Sequence, residues 1–283
     1  MKIRKPYVAN AFYAGTKTKL NQQITDCFTQ HFGPGQVPKV DENGPRKVLG
    51  IISPHAGYMY SGSVAANGFA KLATDGTPET FIILGPNHTG YGSGVSIQTD
   101  GAWETPLGTT MVESELAIAI QESSAIMDID EDSHKFEHSI EVQLPFIQFL
   151  YGNSVKFIPI CMMMQDLRTS REIAKSIVEQ SQGKNYVIVA SSDFTHYEPH
   201  DVANTKDKTA IDAILNLDDE ALNDLGESNR VTMCGYGPIT TLIAAAKRMT
   251  GVKAEFLAHG TSGDVTDDKS AVVGYSSLVF TRE

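Results

Sequence analysis

Short apolar runs rich in β-branched residues punctuate the chain at residues 47–52, 81–84, 156–160, 186–190, 255–257 and 272–280. Runs of this length, bounded by Gly, Pro and polar residues, predict strands. Helical periodicity fills most of the intervals. Leu20, Ile24 and Phe28, with Cys27 beside them, recur at four-residue spacing, as do Val64, Gly68 and Leu72 in "GSVAANGFAKLA". In "PITTLIAAAKRM", Pro238 stands near a first turn and Ile239, Leu242, Ile243 and Ala246 share one face, which predicts a core helix. This alternation predicts an α/β fold with a mixed, mainly parallel sheet flanked by helices.

The polar stretch "HGTSGDVTDDKS", from His259 to Ser270, breaks the pattern and is expected to be a long surface loop, either a lid or a flexible connection. There is no internal repeat, low-complexity tract or Gly/Ser linker, and 283 residues suit one large domain or two fused halves.

Ligands of open α/β sheets bind in the crevice outside the carboxyl ends of the strands. The polar residues that follow the apolar runs therefore carry the chemical argument. His55 follows the first run in "VLGIISPHAGY", and His88 follows the second in "FIILGPNHTG", where Gly85-Pro86 turns the chain. Asp193 and His196 follow "YVIVA" in "SSDFTH". Each alone reads equally as a loop residue bonded to backbone; three imidazoles in parallel contexts point to convergence. His31, His134 and His200 lie in polar or helix-end surroundings and are expected to stand apart.

Cys234, in "MCGYGP", immediately precedes a predicted helix start, where a helix dipole lowers a thiol's pKa and favours the thiolate that binds metal or attacks. The alternative is a small buried residue in a Gly-rich turn, the reading adopted for Cys27 and Cys161. Met162, Met163 and Met164 read as core filling. "EHSIEVQLPF" supplies His138 with Glu137 and Glu141, but Pro145 would clash with an earlier carbonyl if a helix began at Ser139. His138 is thus either a catalytic or orienting imidazole or a capped surface group.

Composition narrows the partners. The chain is 41% hydrophobic and 20% charged with a formal net charge of −11, and its sequence has no dense Lys/Arg cluster, so no nucleic-acid partner is expected. No apolar run approaches ~20 residues and "MKIRKPYVANAFYAG" lacks the apolar core of a signal peptide, so no membrane association and a cytoplasmic location are expected. Three widely spaced cysteines fit a reducing compartment. The phosphate-binding and dinucleotide-binding glycine motifs, H-E-x-x-H and G-x-S-x-G are all missing, so no nucleotide cofactor is expected.

Taken in order, "SPHAGYMYSG", "ILGPNHTG", "EHSIEVQLPF", "SSDFTHY" and "CGYGP" resemble the Memo family, known in prokaryotes as AmmeMemoRadiSam system protein B, across nearly the whole chain. The resemblance implies a single α/β domain, residues 1–283, similar to the catalytic subunit of class III extradiol dioxygenases, which are non-haem iron enzymes. It also implies metal-site residues at His55, His88 and Cys234, with Asp193 and His196 beside them. The dioxygenases complete their site with a carboxylate, whereas this chain offers Cys234, and two imidazoles with a thiolate suit iron, copper or zinc. The leading expectation is a non-haem iron or copper oxidoreductase in which His196, paired with Asp193, moves a proton and His138 assists. Two alternatives stand beside it. One is a non-catalytic module that binds an anionic ligand or phosphopeptide in the same cleft; the other is a metal-free hydrolase using Cys234, His196 and Asp193. An unknown small molecule or peptide, and a radical-SAM system protein, are the expected partners.

Overall fold

The computed structural model describes residues 2–283, and the larger of its two sheets has nine strands. Val48–Ser53, Tyr186–Ser191, Thr80–Pro86 and Lys156–Met162 lie side by side in that order at its centre, all parallel. Every residue of these four except Lys156 is buried. Covered on both faces, they read as continuous apolar runs rather than as alternation.

Antiparallel strands flank the centre. Val272–Arg282 pairs with Val48–Ser53 and carries Val252–Thr261 and His196–Glu198. On the far side Val95–Ile97 runs antiparallel to Lys156–Met162, and Asp128–Ile129 pairs parallel beyond it. The expected parallel arrangement thus holds in the four central strands. Ile3–Arg4, Ala102–Thr105 and Gly108–Met111 form the smaller sheet.

Helices cover both faces of the main sheet because neighbouring strand residues point in opposite directions. A Cβ on Gly50 would meet Leu242 of the helix Tyr236–Lys247 at 2.7 Å, while a Cβ on Gly68 of the helix Tyr58–Asp75 would meet Ile51 at 3.1 Å. Lys17–Thr29 packs against Tyr58–Asp75, and Leu167–Gln180 against Tyr236–Lys247.

Several sequence expectations need correction. The 255–257 run is the middle of a ten-residue strand, Val252–Thr261, whose Lys253 and Glu255 are exposed and make it look polar. His259 to Thr261 complete this strand, opposite Ser276 to Gly274, and Gly263–Thr266 is a short helix, so the stretch to Ser270 is not one long loop. Met162 is buried in its strand, but Met163 and Met164 stand exposed beyond it rather than filling the core. Pro145 occupies the second position of Leu144–Tyr151, after a 3₁₀ turn at Glu141–Gln143. No helix begins at Ser139, and the missing Pro145 N–H interrupts no helical bond.

His134 departs furthest from its expected polar setting. It is 1% exposed, its ring lies 5.7 Å from Trp103, and neither ring nitrogen has a hydrogen-bond partner among the described residues. Burial, reinforced by the Arg4 guanidinium, pushes its pKa down to about 3. The folded state therefore excludes a proton that the unfolded chain accepts below pH ~6.5. Stability from neutral His134 is complete above that pH and falls as the pH drops toward 3, by on the order of 5 kcal/mol in total. Replacing His134 with Phe should flatten the fall in urea-unfolding free energy between pH 6.5 and pH 4. An unchanged slope would remove His134 as its source.

Candidate metal site

Because the central strands are parallel, Ser53, Pro86, Met162 and Ser191 end on one edge of the sheet. The chain beyond each supplies His55, His88, Gln165 and Asp193 in turn. Cys234 arrives from the turn before Tyr236–Lys247, and glycine at 235 lets that turn press against the strand end. A Cβ there would lie 2.4 Å from the Ser191 carbonyl oxygen. The Gly235 N–H donates to Ser192 Oγ at 2.9 Å. Gln165 fixes the other side, its Nε2 donating to the Cys234 carbonyl at 2.9 Å and its Oε1 accepting the Gly237 N–H at 2.8 Å.

His55 Nε2 consequently stands 3.1 Å from Cys234 Sγ, and ligand atoms of His55, His88 and Cys234 all lie within 4.8 Å of one another. Ligands bound at ~2.0–2.3 Å to one tetrahedral ion are themselves roughly 3.3–3.8 Å apart, so the three need only small adjustments to share a cation. A second grouping of His88, Glu137 and His138 meets the same distance test. Its carboxylate is already engaged by backbone and ring donors, which makes it an orienting group instead.

The hydrogen-bond partners determine which nitrogen of each ring carries the proton. Ser191 Oγ donates to the Ser139 carbonyl at 2.7 Å, and its lone pairs receive Gln143 Nε2 at 3.0 Å and His55 Nδ1 at 2.8 Å. With the only hydroxyl hydrogen directed at Ser139, His55 must donate from Nδ1 and present an Nε2 lone pair toward Cys234. His88 Nδ1 faces Glu137 Oε1 at 3.0 Å, and His196 Nδ1 faces the carbonyls of Phe194 and Thr232 at 2.7 and 2.8 Å. These acceptors make both rings Nδ1 donors, so all three imidazoles expose Nε2 as the basic atom.

Glu137 is the anchor of the second side. Its Oε1 accepts the N–H groups of His138 and Ser139, both at 2.8 Å, while its Oε2 accepts the His88 N–H at 2.5 Å. His138 Nδ1 lies 3.3 Å from the same carboxylate. Burial alone would raise the Glu137 pKa, but bonding to His88 and the nearby imidazoles bring it down to about 2. Burial depresses His55 well below an ordinary histidine, with His88, His138 and His196 adding to the effect, and brings His138 down to about 4. Both rings are neutral near pH 7.

Two expectations fail. The Asp193 carboxylate holds no imidazole: its Oδ1 accepts the backbone N–H groups of His55 at 2.8 Å and Ala56 at 3.3 Å, while His196 is held by carbonyls. Asp193 thus positions the loop that carries His55. Nor does the helix start lower the Cys234 pKa; burial, and then the Asp193 charge, push it well above an ordinary thiol. The protein's own groups favour the protonated sulfur, and a cation in contact with it would reverse that preference.

Of the residues singled out in the sequence, His55, His88, His138 and Cys234 meet: the His55 ring lies 5.1 Å from His88 and 5.4 Å from His138. Asp193 lies beneath His55, and His196 flanks the cluster. Among the others, Cys27 and Cys161 are buried as expected, and His200 pairs with Thr261 Oγ1 at 3.0 Å. Sequence reasoning missed Ser191, Gln143 and Gln165. Ser191 opens "SSDFTH" and Gln143 lies within "EHSIEVQLPF", so two of the three stand inside motifs already singled out, while Gln165 carries no such signal.

A family model described as Memo-like protein matches residues 4–279. The chain belongs to the Memo family. It is 48% identical to a MEMO1 family protein of Methanopyrus kandleri over 99% of both chains. A MEMO1 family protein of Methanothermobacter thermautotrophicus is 45% identical, covering 98% of this chain and 99% of its own. A crystal structure of an uncharacterized protein from Escherichia coli K12 superposes with a TM-score of 0.56 at 12% identity, over 82% of this chain and 99% of that one. That likeness concerns the fold. Membership in the Memo family therefore agrees with the resemblance carried by the strand-end motifs.

Glu137→Gln would place an amide NH₂ against donors the carboxylate now accepts, at a residue that is 1% exposed. The variant should lose about 3 kcal/mol of stability in urea unfolding. A loss below about 0.5 kcal/mol, the usual range for a surface change, would show that the donors re-pair without the carboxylate.

Proposed function

We propose that this Memo protein is a non-haem, metal-dependent oxidoreductase holding iron or copper, with zinc as the alternative ion, on His55, His88 and Cys234. The observation that carries the reading is the shared orientation of the donors. His55 and His88 each have Nδ1 held as a donor, which leaves the lone pair on Nε2, with Cys234 Sγ close by. Hydrogen-bonded outer partners of this kind are what metal-ligating imidazoles characteristically have.

A bound metal would supply Lewis acidity and, for iron or copper, one-electron chemistry at the substrate. The protein's residues would do the rest. His138 is neutral at pH 7 and lies within 4.6 Å of the His88 ring, so it is placed to take a proton at the mouth of the site. His196, with Nδ1 fixed, offers only Nε2 for the same task. Met59, Tyr91, Phe136 and Tyr197, each at least 40% exposed, stand on the segments that bear His55, His88, His138 and His196. Exposed apolar groups on those segments favour a substrate with an apolar or aromatic part over a purely ionic one. A reducing cytoplasm suits a chain with three unpaired cysteines.

The metal-free hydrolase receives less support, because Asp193 bonds to backbone rather than to His196 and Cys234 meets His55 instead. The test is elemental analysis of protein purified without oxygen or chelator, combined with alkylation. Bound iron, copper or zinc should protect Cys234, and chelation should expose it, while buried Cys27 and Cys161 stay unreactive in both states. Equal Cys234 labelling with and without each metal would overturn the ligand assignment. Ser191→Ala, which frees the His55 ring, should weaken metal binding about 10- to 100-fold in a chelator competition. An unaltered affinity would mean that the hydroxyl does not orient the ligand.

A further inference from the structure

At the other end of the sheet two adjoining hollows, of about 570 and 320 Å³, share Gly183, Lys184, Tyr186 and Arg282. The larger adds Arg248 and the smaller Arg46, and no carboxylate lines either among the described residues. This gathering runs against the composition, in which 34 acidic residues face 23 basic ones. Glu283, next to Arg282 in the chain, is engaged with Lys253. Arg46 pairs with Asp75 at 2.9 Å. Lys184, Arg248 and Arg282 have no acidic partner among the described residues.

The lining is also under-satisfied. Tyr186 Oη, Ser181 Oγ and Arg282 Nε are buried without a hydrogen-bond partner among the described residues, a state that is costly for a polar group. The Arg282 guanidinium lies 5.9 Å from the Tyr186 ring centroid. Burial lowers the Arg46 pKa and the charge of Arg282 lowers it further, against the opposing pull of Asp75. Two guanidiniums thus face one another over a hollow that also holds a lysine.

We infer that this hollow is a binding site for a phosphorylated small molecule, its phosphate oxygens received by the Lys184, Arg248 and Arg282 side chains that line it. Phosphate supplies several acceptor oxygens and more than one negative charge, which suits forked arginine donors better than a single carboxylate does. The volume is that of a small-molecule site, and Val178, Met249 and the Tyr186 ring give it an apolar wall for the rest of the ligand. Tyr186 begins the strand whose last residue is Ser191, so the site lies roughly 17 Å along the sheet from the histidine cluster. It is therefore a separate site, independent of the metal reading.

The test is calorimetric titration with inorganic pyrophosphate at constant ionic strength, with acetate as the control. Saturable binding near one equivalent is expected for pyrophosphate and none for acetate. Arg248→Gln and Lys184→Gln alter exposed side chains and should leave the fold intact, yet weaken binding at least tenfold; Arg282→Gln should abolish it. No saturable binding would overturn the inference. Binding undiminished in Arg248→Gln and Lys184→Gln would mark an adventitious ion only and overturn it equally. Preference for single-stranded RNA over pyrophosphate would replace the small ligand with a nucleic acid.

Discussion

A carboxylate taken out of water must find donors within reach, and the catalytic edge proposed for this sheet is organised by that constraint. Asp193 gathers the N–H groups that turn the chain at His55. Glu137 gathers those at His88, His138 and Ser139. Glu141 ties the N-terminal segment to the same loop by accepting from Arg4, from the Tyr7 and Val8 N–H groups and from the Tyr13 hydroxyl. Each anion is short of solvent, so each fixes several backbone segments at once. The imidazoles are placed by where these segments must go.

Proton positions follow from the same economy of donors and acceptors. One serine hydroxyl with a single hydrogen suffices to decide the tautomer of His55, because its other contacts leave no second option. The three rings expose equivalent nitrogens although their Nδ1 partners differ: a hydroxyl, a carboxylate and a pair of carbonyls. Family membership establishes the company this chain keeps. The chemistry proposed for it rests on these contacts.

How much of this was legible in the sequence depended on whether a residue's role is local. The central strands were readable because burial on both faces removes polar residues from them. Val95–Ile97 and Asp128–Ile129 were not, since two or three residues carry no period and pair only because the rest of the sheet is present. Val252–Thr261 lies outside the central strands and shows charges to solvent, which hides its length. Within the site, the histidines were visible through the turns that follow their strands. The partner of Asp193 was not, because backbone N–H groups have no sequence signature. The basic hollow was hidden for a related reason. Arg46, Lys184, Arg248 and Arg282 come from four separated segments, so no cluster exists until the chain folds.

The contact between His55 and Cys234 joins residues 179 apart, and that between His55 and Ser191 joins residues 136 apart. Loops of that size close slowly, and contacts across them form after local helices and turns. The histidine cluster is thus a product of nearly complete folding rather than a seed for it. Partly folded chains would hold its donors far apart. Any occupant of the assembled cluster would draw its affinity from the finished tertiary structure and return it as global stability, growing with the logarithm of occupant concentration above its dissociation constant. Heat resistance and site occupancy would then rise and fall together, though no residue of the core had changed.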